Sequence, residues 1–356
     1  MRMSAAGKVS VEPETAWPGW LAPFEPISIL RNAHLQTLAG NFWLREPFVL
    51  RPEAEAVEVD PADGSRVLCH CHWQAETLRA ERLTLVLVHG LEGSSDSRYI
   101  RGITARAWIA GCNVVRMNMR NCGGTDTWTP SLYHSGLSGD VDAVLRHFRS
   151  RFGLRRMAMV GYSMGGNLVL KLAGDLGSAA PDWLLAAVAV SPAADLAPSA
   201  DALHEPQNWL YERNFLRNLT RRFQRKVSLF PERYGNHDIE KVHSIREFDD
   251  RITARFSGFA GADDYYFRSS ASQVVSRVAI PTLVINALDD PFIRLLPETR
   301  NRMRRNPAIT IVETERGGHC AFLARKQPES HENDRHWAEA TLLRFLLETA
   351  GVDDGG

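Results

Sequence analysis

Apolar and polar positions change their period along the chain. Residues 56–73 alternate in two short runs on either side of Asp63-Gly64, a pattern typical of a β-hairpin. From Leu83 onward, continuous apolar runs such as LTLVLV replace the alternation, as in strands that are buried on both faces. Segments with apolar residues at helical spacing lie between these runs. The sequence therefore predicts a hairpin followed by a strand–helix repeat.

The strand–helix repeat predicts an α/β fold with a mostly parallel central sheet flanked by helices, because parallel neighbours require crossover connections. The predicted strands cover residues 83–88, 113–119, 155–163, 184–191, 281–286 and 308–314. The predicted helices cover residues 97–111, 139–152, 164–174 and 334–351.

Two regions do not follow the repeat. Residues 1–55 are rich in Pro and Trp and predict an N-terminal arm with a short helix, packed on the body. Residues from about 200 to 275 carry helical, aromatic and charged patches without a buried strand. A long insertion between sheet strands predicts a helical cap over the working edge of the sheet. We therefore expect one domain over residues 56–350, preceded by the arm.

Composition narrows the classes of function. A formal net charge of zero over 356 residues gives no reason to expect a nucleic-acid partner. Five scattered cysteines do not form a disulfide framework, and the N-terminus has no apolar run of signal-peptide length. We expect a cytoplasmic protein.

The motif GYSMG, residues 161–165, carries the main chemical signal. The pattern G-x-S-x-G is weak alone, but here a buried strand leads into it and an amphipathic helix leads out. That context is the strand–turn–helix of a nucleophile elbow, in which a strained turn exposes the serine. Ser163 is therefore the candidate nucleophile.

A serine hydroxyl needs a base, and the base needs a group that orients it. In this architecture the acid and then the histidine follow the serine in the chain, each after a late strand. His319, after the last predicted strand, is the candidate base. Two adjacent aspartates follow the preceding strand. Asp290, just before Pro291, is the preferred acid, and Asp289 is left to bond backbone N–H groups.

An oxyanion formed at the substrate needs donors aimed at it. The backbone N–H of Met164, directly after the serine, supplies one. The second is expected from Leu91 in the loop HGLEGSS that follows the first central strand, with His89 as a structural residue at the strand end.

Other polar groups have alternative explanations. In CHCH, residues 69–72, the cysteines and histidines point to opposite faces of a strand and cannot converge on a metal. We expect no metal and no cofactor, because a mechanism with a serine, a histidine and an aspartate needs neither. The basic run from Arg213 to Lys226 is the solvated face of a helix, or a patch that faces anionic lipid or an acidic substrate head group. Cys122 and His134 line the pocket or serve loop structure. The acidic pairs EFDD and GADDYY are most simply solvated or capping carboxylates.

The sequence resembles the α/β-hydrolase family that includes bacterial YheT-like hydrolases, plant embryogenesis-associated proteins, yeast medium-chain ethyl ester synthases and esterases, and mammalian phospholipase-like members. The resemblance extends from about Pro23 to Phe322. It includes LRNAHLQTL, HGLEGSSDSRYIRG, VVRMNMRNCGGT, LYHSGLSGD, GYSMGGNLVLKLAG, REFDDRITA, ALDDPFI and ETERGGHCAF.

The resemblance places the family's nucleophile, acid and base on Ser163, Asp290 and His319. It implies hydrolysis of short- to medium-chain acyl esters, or acyl transfer to an alcohol. We expect a small-molecule or lipid ester as substrate and consider peripheral contact with a membrane. A binding protein on a hydrolase scaffold is the alternative from a different class.

Overall fold

A computed structural model describes residues 21–42, 53–61, 64–235, 242–325 and 335–352 of the chain. An eight-stranded sheet with the order β1-β2-β4-β3-β5-β6-β7-β8 forms its centre. The strands are β1 (Glu55–Val59), β2 (Val67–His72), β3 (Thr84–Val88), β4 (Asn113–Met117), β5 (Met157–Tyr162), β6 (Leu184–Val190), β7 (Thr282–Ala287) and β8 (Ile309–Thr314). The six strands β3 to β8 are parallel, and the antiparallel hairpin β1–β2 extends the edge beside β4.

Helices cover both faces of the sheet, which explains why β3, β4, β5 and β7 are buried at every position rather than at alternate ones. Ile103 and Leu342 pack on one face and Val144 and Leu168 on the other, and all four are buried. The helices outside the segment between β6 and β7 are α1 (Ala33–Phe42), α2 (Glu76–Arg79), α3 (Arg98–Ile109), α4 (Ser138–Phe152), α5 (Met164–Leu176), α12 (Pro297–Arg305) and α13 (Trp337–Thr349).

Sheet topology brings the candidate residues together. Because β3, β5, β7 and β8 are parallel, the loops that follow them leave the sheet at one edge, where open α/β sheets place their ligand sites. Leu91 follows β3, Ser163 follows β5, Asp290 follows β7 and His319 follows β8.

The segment between β6 and β7 contains helices and no strand among its described residues, and we call it the helical insertion (Leu196–Arg277). Its α-helices are α6 (Leu196–Leu203), α7 (Trp209–Leu229), α8 (Pro231–Tyr234), α9 (Ile245–Phe248), α10 (Arg255–Ser257) and α11 (Ala262–Ser269). A π-helical segment, Asp249–Ala254, joins α9 to α10. We propose that this insertion is the cap predicted for residues 200–275.

The N-terminal segment Leu21–Phe42 lies against the chain around residue 323. Gln36 brackets Leu323, accepting its N–H at 3.3 Å and donating to its carbonyl at 3.4 Å. Trp337 Nε1 donates to the carbonyl of Ala22 at 2.9 Å. The rest of the predicted arm, residues 1–20 and 43–52, lies outside the described residues.

The predicted hairpin and parallel sheet are confirmed, but the sequence pattern missed two helices outside the helical insertion, the four-residue α2 and α12. Helix α12 follows β7 and reads PETRNRMRR, in which only Thr299 and Met303 are buried. Two buried positions in nine residues are too few for helical spacing to reveal. Within the described ranges, no helix is both long enough and apolar enough to cross a membrane.

Candidate active site

Ser163 occupies the tight turn between β5 and α5. Its backbone has φ 55° and ψ −118°, a conformation that costs about 1–3 kcal/mol for a residue with a side chain. The turn is held by hydrogen bonds on both sides, from Ser163 N–H to the carbonyl of Val190 at 2.9 Å and from Asn167 N–H to the carbonyl of Ser163 at 3.1 Å. The side chain therefore stands in the strained geometry of a nucleophile elbow.

The two glycines of GYSMG are required by close packing. A Cβ on Gly161 would lie 2.1 Å from the carbonyl oxygen of Gly165, and a Cβ on Gly165 would lie 2.4 Å from that of Val88. Both contacts involve backbone, which cannot move aside. Any larger residue would push α5 away from β3 and β5 and open the turn at Ser163.

Asp290 and His319 are directly joined. Asp290 Oδ2 lies 2.8 Å from His319 Nδ1, and the carboxylate is 3% exposed. The other oxygen, Oδ1, accepts the N–H groups of Phe292 at 3.1 Å and Ile293 at 2.9 Å. These bonds hold the carboxylate in place against the imidazole. With Nδ1–H donated to Asp290, the lone pair for a base lies on Nε2.

Asp289 points away from the imidazole. Its Oδ1 accepts the N–H of Gly318 at 3.0 Å, so it holds the loop that carries His319. Burial raises the pKa of Asp289, although N–H groups of Gly317 and Gly318 oppose the rise. The two neighbouring carboxylates thus face different partners, as the sequence predicts.

The charge of Asp290 acts on the pKa of His319. Burial is the largest single influence and lowers the pKa of His319, but the charge and hydrogen bond of Asp290 together with the adjacent Cys320 outweigh it, so this pKa is raised above its ordinary value. Nε2 of His319 lies 3.6 Å from Cys320 Sγ. Among the described residues no hydrogen bond joins Nε2 to Ser163 Oγ, and catalytic hydrogen bonds are often long in unliganded enzymes.

Helix α1 holds the backbone of His319, a contact the sequence did not reveal. Thr37 Oγ1 accepts the N–H of His319 at 2.9 Å and donates to the carbonyl of Ala33 at 2.8 Å. On the imidazole itself, Phe292 packs with its ring centroid 4.3 Å away. Thr37 and His319 are 282 residues apart, and no local pattern signals such a contact.

The backbone N–H groups of Leu91 and Met164 are the predicted oxyanion donors. No acceptor is found for the N–H of Leu91 or of Met164 in the part of the chain that the structure describes. Gly90 lets the loop approach the serine, because a Cβ there would lie 3.1 Å from Ser163 Cβ. The N–H of Gly90 donates to the hydroxyl of Tyr99 at 2.9 Å.

His89 is a structural residue. Its Nδ1 lies 2.8 Å from the carbonyl of Gly90 and its Nε2 accepts the N–H of Met119 at 3.1 Å. Burial lowers the pKa of His89 to about 4, so the ring is neutral and bridges two loops.

An ion pair ties the loop after β3 to the helical insertion. Arg222 of α7 donates to Glu92 through Nε at 3.1 Å and Nη2 at 3.3 Å, and Tyr133 donates to the same carboxylate. Glu92 directly follows Leu91 and has φ 56°. The insertion therefore fixes the loop that presents Leu91. The contact spans 130 residues and was not predicted.

Two cavities meet at Ser163. The acyl-side cavity, about 120 Å³, lies beneath the helical insertion and is mainly apolar; its lining includes Leu132, Ala200, Leu203, Phe215, Leu219 and Phe292. The base-side cavity, about 130 Å³, lies beside His319; its lining includes Thr37, Gly40, Tyr99, Tyr211, His319 and Cys320. Ser163 and Phe292 belong to both linings, so a molecule attached at Ser163 can extend in two directions.

The remaining polar signals are structural or lie on the cavity walls. His134 lines the acyl-side cavity, where burial lowers its pKa to about 4, whereas Cys122 is fully buried and lines neither cavity. Cys69 and Cys71 are buried in the core while His70 contacts Ser95 at 2.8 Å. No cluster of metal-ligating side chains occurs among residues that the structure describes.

The two aspartates of EFDD divide between capping and burial. Asp250 accepts the N–H of Ala262 at 2.9 Å, as a capping carboxylate does. Asp249, in contrast, lines the acyl-side cavity and accepts hydroxyl bonds from Thr253 at 2.7 Å and Tyr266 at 2.8 Å. Burial raises the pKa of Asp249 to about 6.

Sequence comparison identifies relatives along most of the chain. The family model described as alpha/beta hydrolase fold matches residues 84–325. The Escherichia coli (strain K12) protein named "Putative esterase YheT" is 34% identical over 307 residues, covering 85% of this chain and 87% of that protein. The protein named phospholipase ABHD3 from Mus musculus is 33% identical over 243 residues, covering 68% of this chain and 59% of the mouse protein.

Solved structures show the same architecture. The Pyrococcus furiosus esterase Pf2001 superposes with a TM-score of 0.53 at 14% identity, covering 83% of this chain and 92% of that one. At this identity the likeness concerns the fold alone. Together with the family match and the bacterial relative, it shows that the chain belongs to the α/β-hydrolase family and is an enzyme of the hydrolase class.

Proposed function

We propose that this protein is a serine carboxylic-ester hydrolase that acts on short- to medium-chain acyl esters through an acyl-enzyme. In this proposal Ser163 is the nucleophile, His319 the general base and acid, and Asp290 the group that orients the imidazole. The N–H groups of Leu91 and Met164 form the oxyanion hole. The observation that carries the proposal is the 2.8 Å contact between Asp290 and His319 beside a serine in elbow geometry.

The reaction follows from these positions. Ser163 Oγ attacks the carbonyl carbon while its proton passes to His319 Nε2. The tetrahedral oxyanion is stabilised by the N–H groups of Leu91 and Met164, and the imidazolium by Asp290. Collapse breaks the bond to the alcohol oxygen, which takes the proton from Nε2. Water then attacks the acyl-enzyme by the same route, releasing the acid and free Ser163.

The two cavities suggest where each half of the ester lies. His319 must protonate the departing oxygen, so the alcohol belongs in the base-side cavity that His319 lines. The acyl chain then extends into the acyl-side cavity, whose apolar lining suits alkyl groups, with its carbonyl oxygen between Leu91 and Met164.

The names of the relatives agree with ester chemistry, since one is called an esterase and another a phospholipase. A fluorophosphonate probe should label the wild-type protein and not Ser163→Ala. A series of p-nitrophenyl esters of increasing acyl length should then give a maximum at short to medium chains. Absence of labelling, or no hydrolysis at any length, would overturn the proposal.

Acyl transfer to an alcohol is the second candidate. The base-side cavity favours it, because an alcohol that stays bound beside His319 can compete with water for the acyl-enzyme. Incubation with an acyl ester and added ethanol should yield ethyl ester at the expense of free acid if transfer dominates. A product ratio that does not change with ethanol would leave hydrolysis as the reaction.

A further inference from the structure

The outer face of α7 carries a row of arginines. Arg213, Arg217 and Arg221 follow one another at intervals of four residues, so they lie along one side of the helix. All three are exposed, and among the described residues none of them forms an ion pair with a carboxylate. This differs from Arg222 on the inner face, which is paired with Glu92.

Large apolar side chains are exposed beside this row. Trp209 and Leu210, in the first turn of α7, are 52% and 63% exposed. Leu35 and Leu38, three residues apart on α1, are 51% and 45% exposed. Single exposed apolar residues are ordinary, whereas four on two adjoining helices form a patch that needs an occupant.

Contact between His34 and Tyr211 joins the two helices. The rings stack with centroids 5.8 Å apart, and His34 Nδ1 lies 3.4 Å from the Tyr211 hydroxyl. Leu38 lies one turn after His34 on the same side of α1, and Leu210 directly precedes Tyr211. The apolar residues therefore border the junction of α1 and α7. We call the four apolar residues and the three arginines together the docking face.

The same junction lies over the base-side cavity. Thr37 and Gly40 of α1 and Tyr211 of α7 line that cavity, which leads to Ser163 and His319. A substrate that approaches between the two helices passes the exposed leucines and Trp209 first. The docking face is thus placed where a lipid ester would leave an aggregate and enter the site.

We propose that the docking face binds the surface of an anionic lipid bilayer, with Trp209, Leu210, Leu35 and Leu38 in the interfacial layer and the arginine row against lipid phosphates. The proposal rests on the proposed function and names the physical state of the substrate. Charge complementarity selects the occupant, because arginines that the described residues leave without a carboxylate partner, next to apolar side chains, match an anionic interface better than a neutral one. Trp is also suited to the headgroup region, since its apolar ring carries a polar N–H group.

Vesicle co-sedimentation of the full-length protein tests the proposal. The wild type should bind vesicles that contain phosphatidylglycerol, bind pure phosphatidylcholine vesicles much less, and dissociate with added salt. The triple variant Arg213→Gln/Arg217→Gln/Arg221→Gln should lose about two orders of magnitude in partitioning, at about one kcal/mol for each arginine. Trp209→Ser/Leu210→Ser should weaken the binding that remains at high salt.

A charge-matched control separates the docking face from net charge. Arg82, Arg151 and Arg305 are exposed and precede β3, β5 and β8, at the opposite edge of the sheet. The triple variant Arg82→Gln/Arg151→Gln/Arg305→Gln removes the same charge and should bind as the wild type does. Hydrolysis of a water-soluble acetyl ester should persist in both triple variants, because none of these arginines lines either cavity.

The outcomes that would contradict the docking proposal can be distinguished from a failure of the proposed function. Equal binding to neutral and anionic vesicles, equal losses in the two triple variants, or no binding to any vesicle would overturn the docking proposal. A dimer in light scattering that Trp209→Ser/Leu210→Ser dissociates would assign the face to a second copy of the chain instead. Vesicle binding does not require turnover, so Ser163→Ala should bind as the wild type does even if the proposed function fails.

Discussion

The two cavities that meet at Ser163 have nearly equal volumes, about 120 and 130 Å³, but different walls. The acyl-side cavity is enclosed by the helical insertion and offers mainly carbon surface. The base-side cavity is bordered by α1 and the His319 loop and presents hydroxyl, thiol and imidazole groups. An ester has the same asymmetry, with an alkyl chain on one side of the carbonyl and a departing oxygen on the other. The contrast therefore supports the proposed placement of the acyl chain and the alcohol.

The largest effect should come from disturbing the orientation of His319, the proposed base, because the ester halves in both cavities depend on it. Asp290→Asn should lower kcat by about 10⁴, because the amide no longer holds the required imidazole tautomer. Asp289→Asn should leave most of the activity, since Asp289 contacts Gly318 rather than the imidazole. Steady-state kinetics with a soluble ester checks both variants. A greater loss in Asp289→Asn would move the acid back one residue.

Filling the acyl-side cavity should shorten the preferred acyl chain. Ala200→Leu adds three carbons to the wall and displaces about three substrate methylenes, worth ~2.4 kcal/mol or about 50-fold in kcat/KM for medium-chain esters. Acetyl esters should be hydrolysed at nearly the wild-type rate. The check is the ratio of kcat/KM for octanoyl and acetyl esters, and an unchanged ratio would argue against acyl binding there.

Changing the base-side cavity should affect the alcohol instead. Tyr211→Ala enlarges this cavity, and the relative kcat/KM for bulky and small alcohol groups should shift by about tenfold. Tyr211→Phe keeps the ring and should keep the wild-type preference. Esters that share one acyl group and differ in the alcohol provide the measurement. A change in acyl-length preference with no change in alcohol preference would reverse the assignment of the cavities.

Support of the base from α1 should have a smaller effect. Thr37→Val leaves the His319 N–H without its acceptor, at a cost of about 1–3 kcal/mol in the free energy of unfolding, and should lower kcat a few-fold. Thr37→Ser restores the hydroxyl and should restore both quantities. Denaturant unfolding and kcat are measured on the same samples. If Thr37→Ser failed to rescue activity, the hydroxyl would not be what positions His319.

The smallest effect should be a shift in the pH profile of kcat/KM, and the direction of that shift can be predicted. The base must be neutral, so kcat/KM should rise with pH through the pKa of His319, which Asp290 raises. In Asp290→Asn this raising charge is gone while burial still lowers the pKa, so the midpoint of the residual activity should move to lower pH. The same raised pKa means that protonated His319 stabilises the fold below about pH 6.5, and this contribution is lost as pH rises through the folded-state value. A midpoint that moved to higher pH in Asp290→Asn would contradict the assignment.

Local sequence patterns predicted the sheet and the loops that carry Ser163, Asp290 and His319. Buried parallel strands give continuous apolar runs, and chain order then assigns a candidate to each loop. The residues that line the cavities could not be predicted from local patterns. Thr37 and His319 are 282 residues apart, and Glu92 and Arg222 are 130 apart. Such contacts depend on how the N-terminal segment and the helical insertion fold back over the sheet, which neither spacing nor composition encodes.

The most direct test is the crystal structure of the enzyme inhibited by an alkylphosphonate that carries an ethoxy group and a p-nitrophenyl leaving group. Phosphorus should be bonded to Ser163 Oγ, with its free oxygen between the N–H groups of Leu91 and Met164. The alkyl chain should lie beside Ala200 and the ethoxy group beside His319. Phosphorus on any residue other than Ser163, or the two arms in exchanged cavities, would contradict the account.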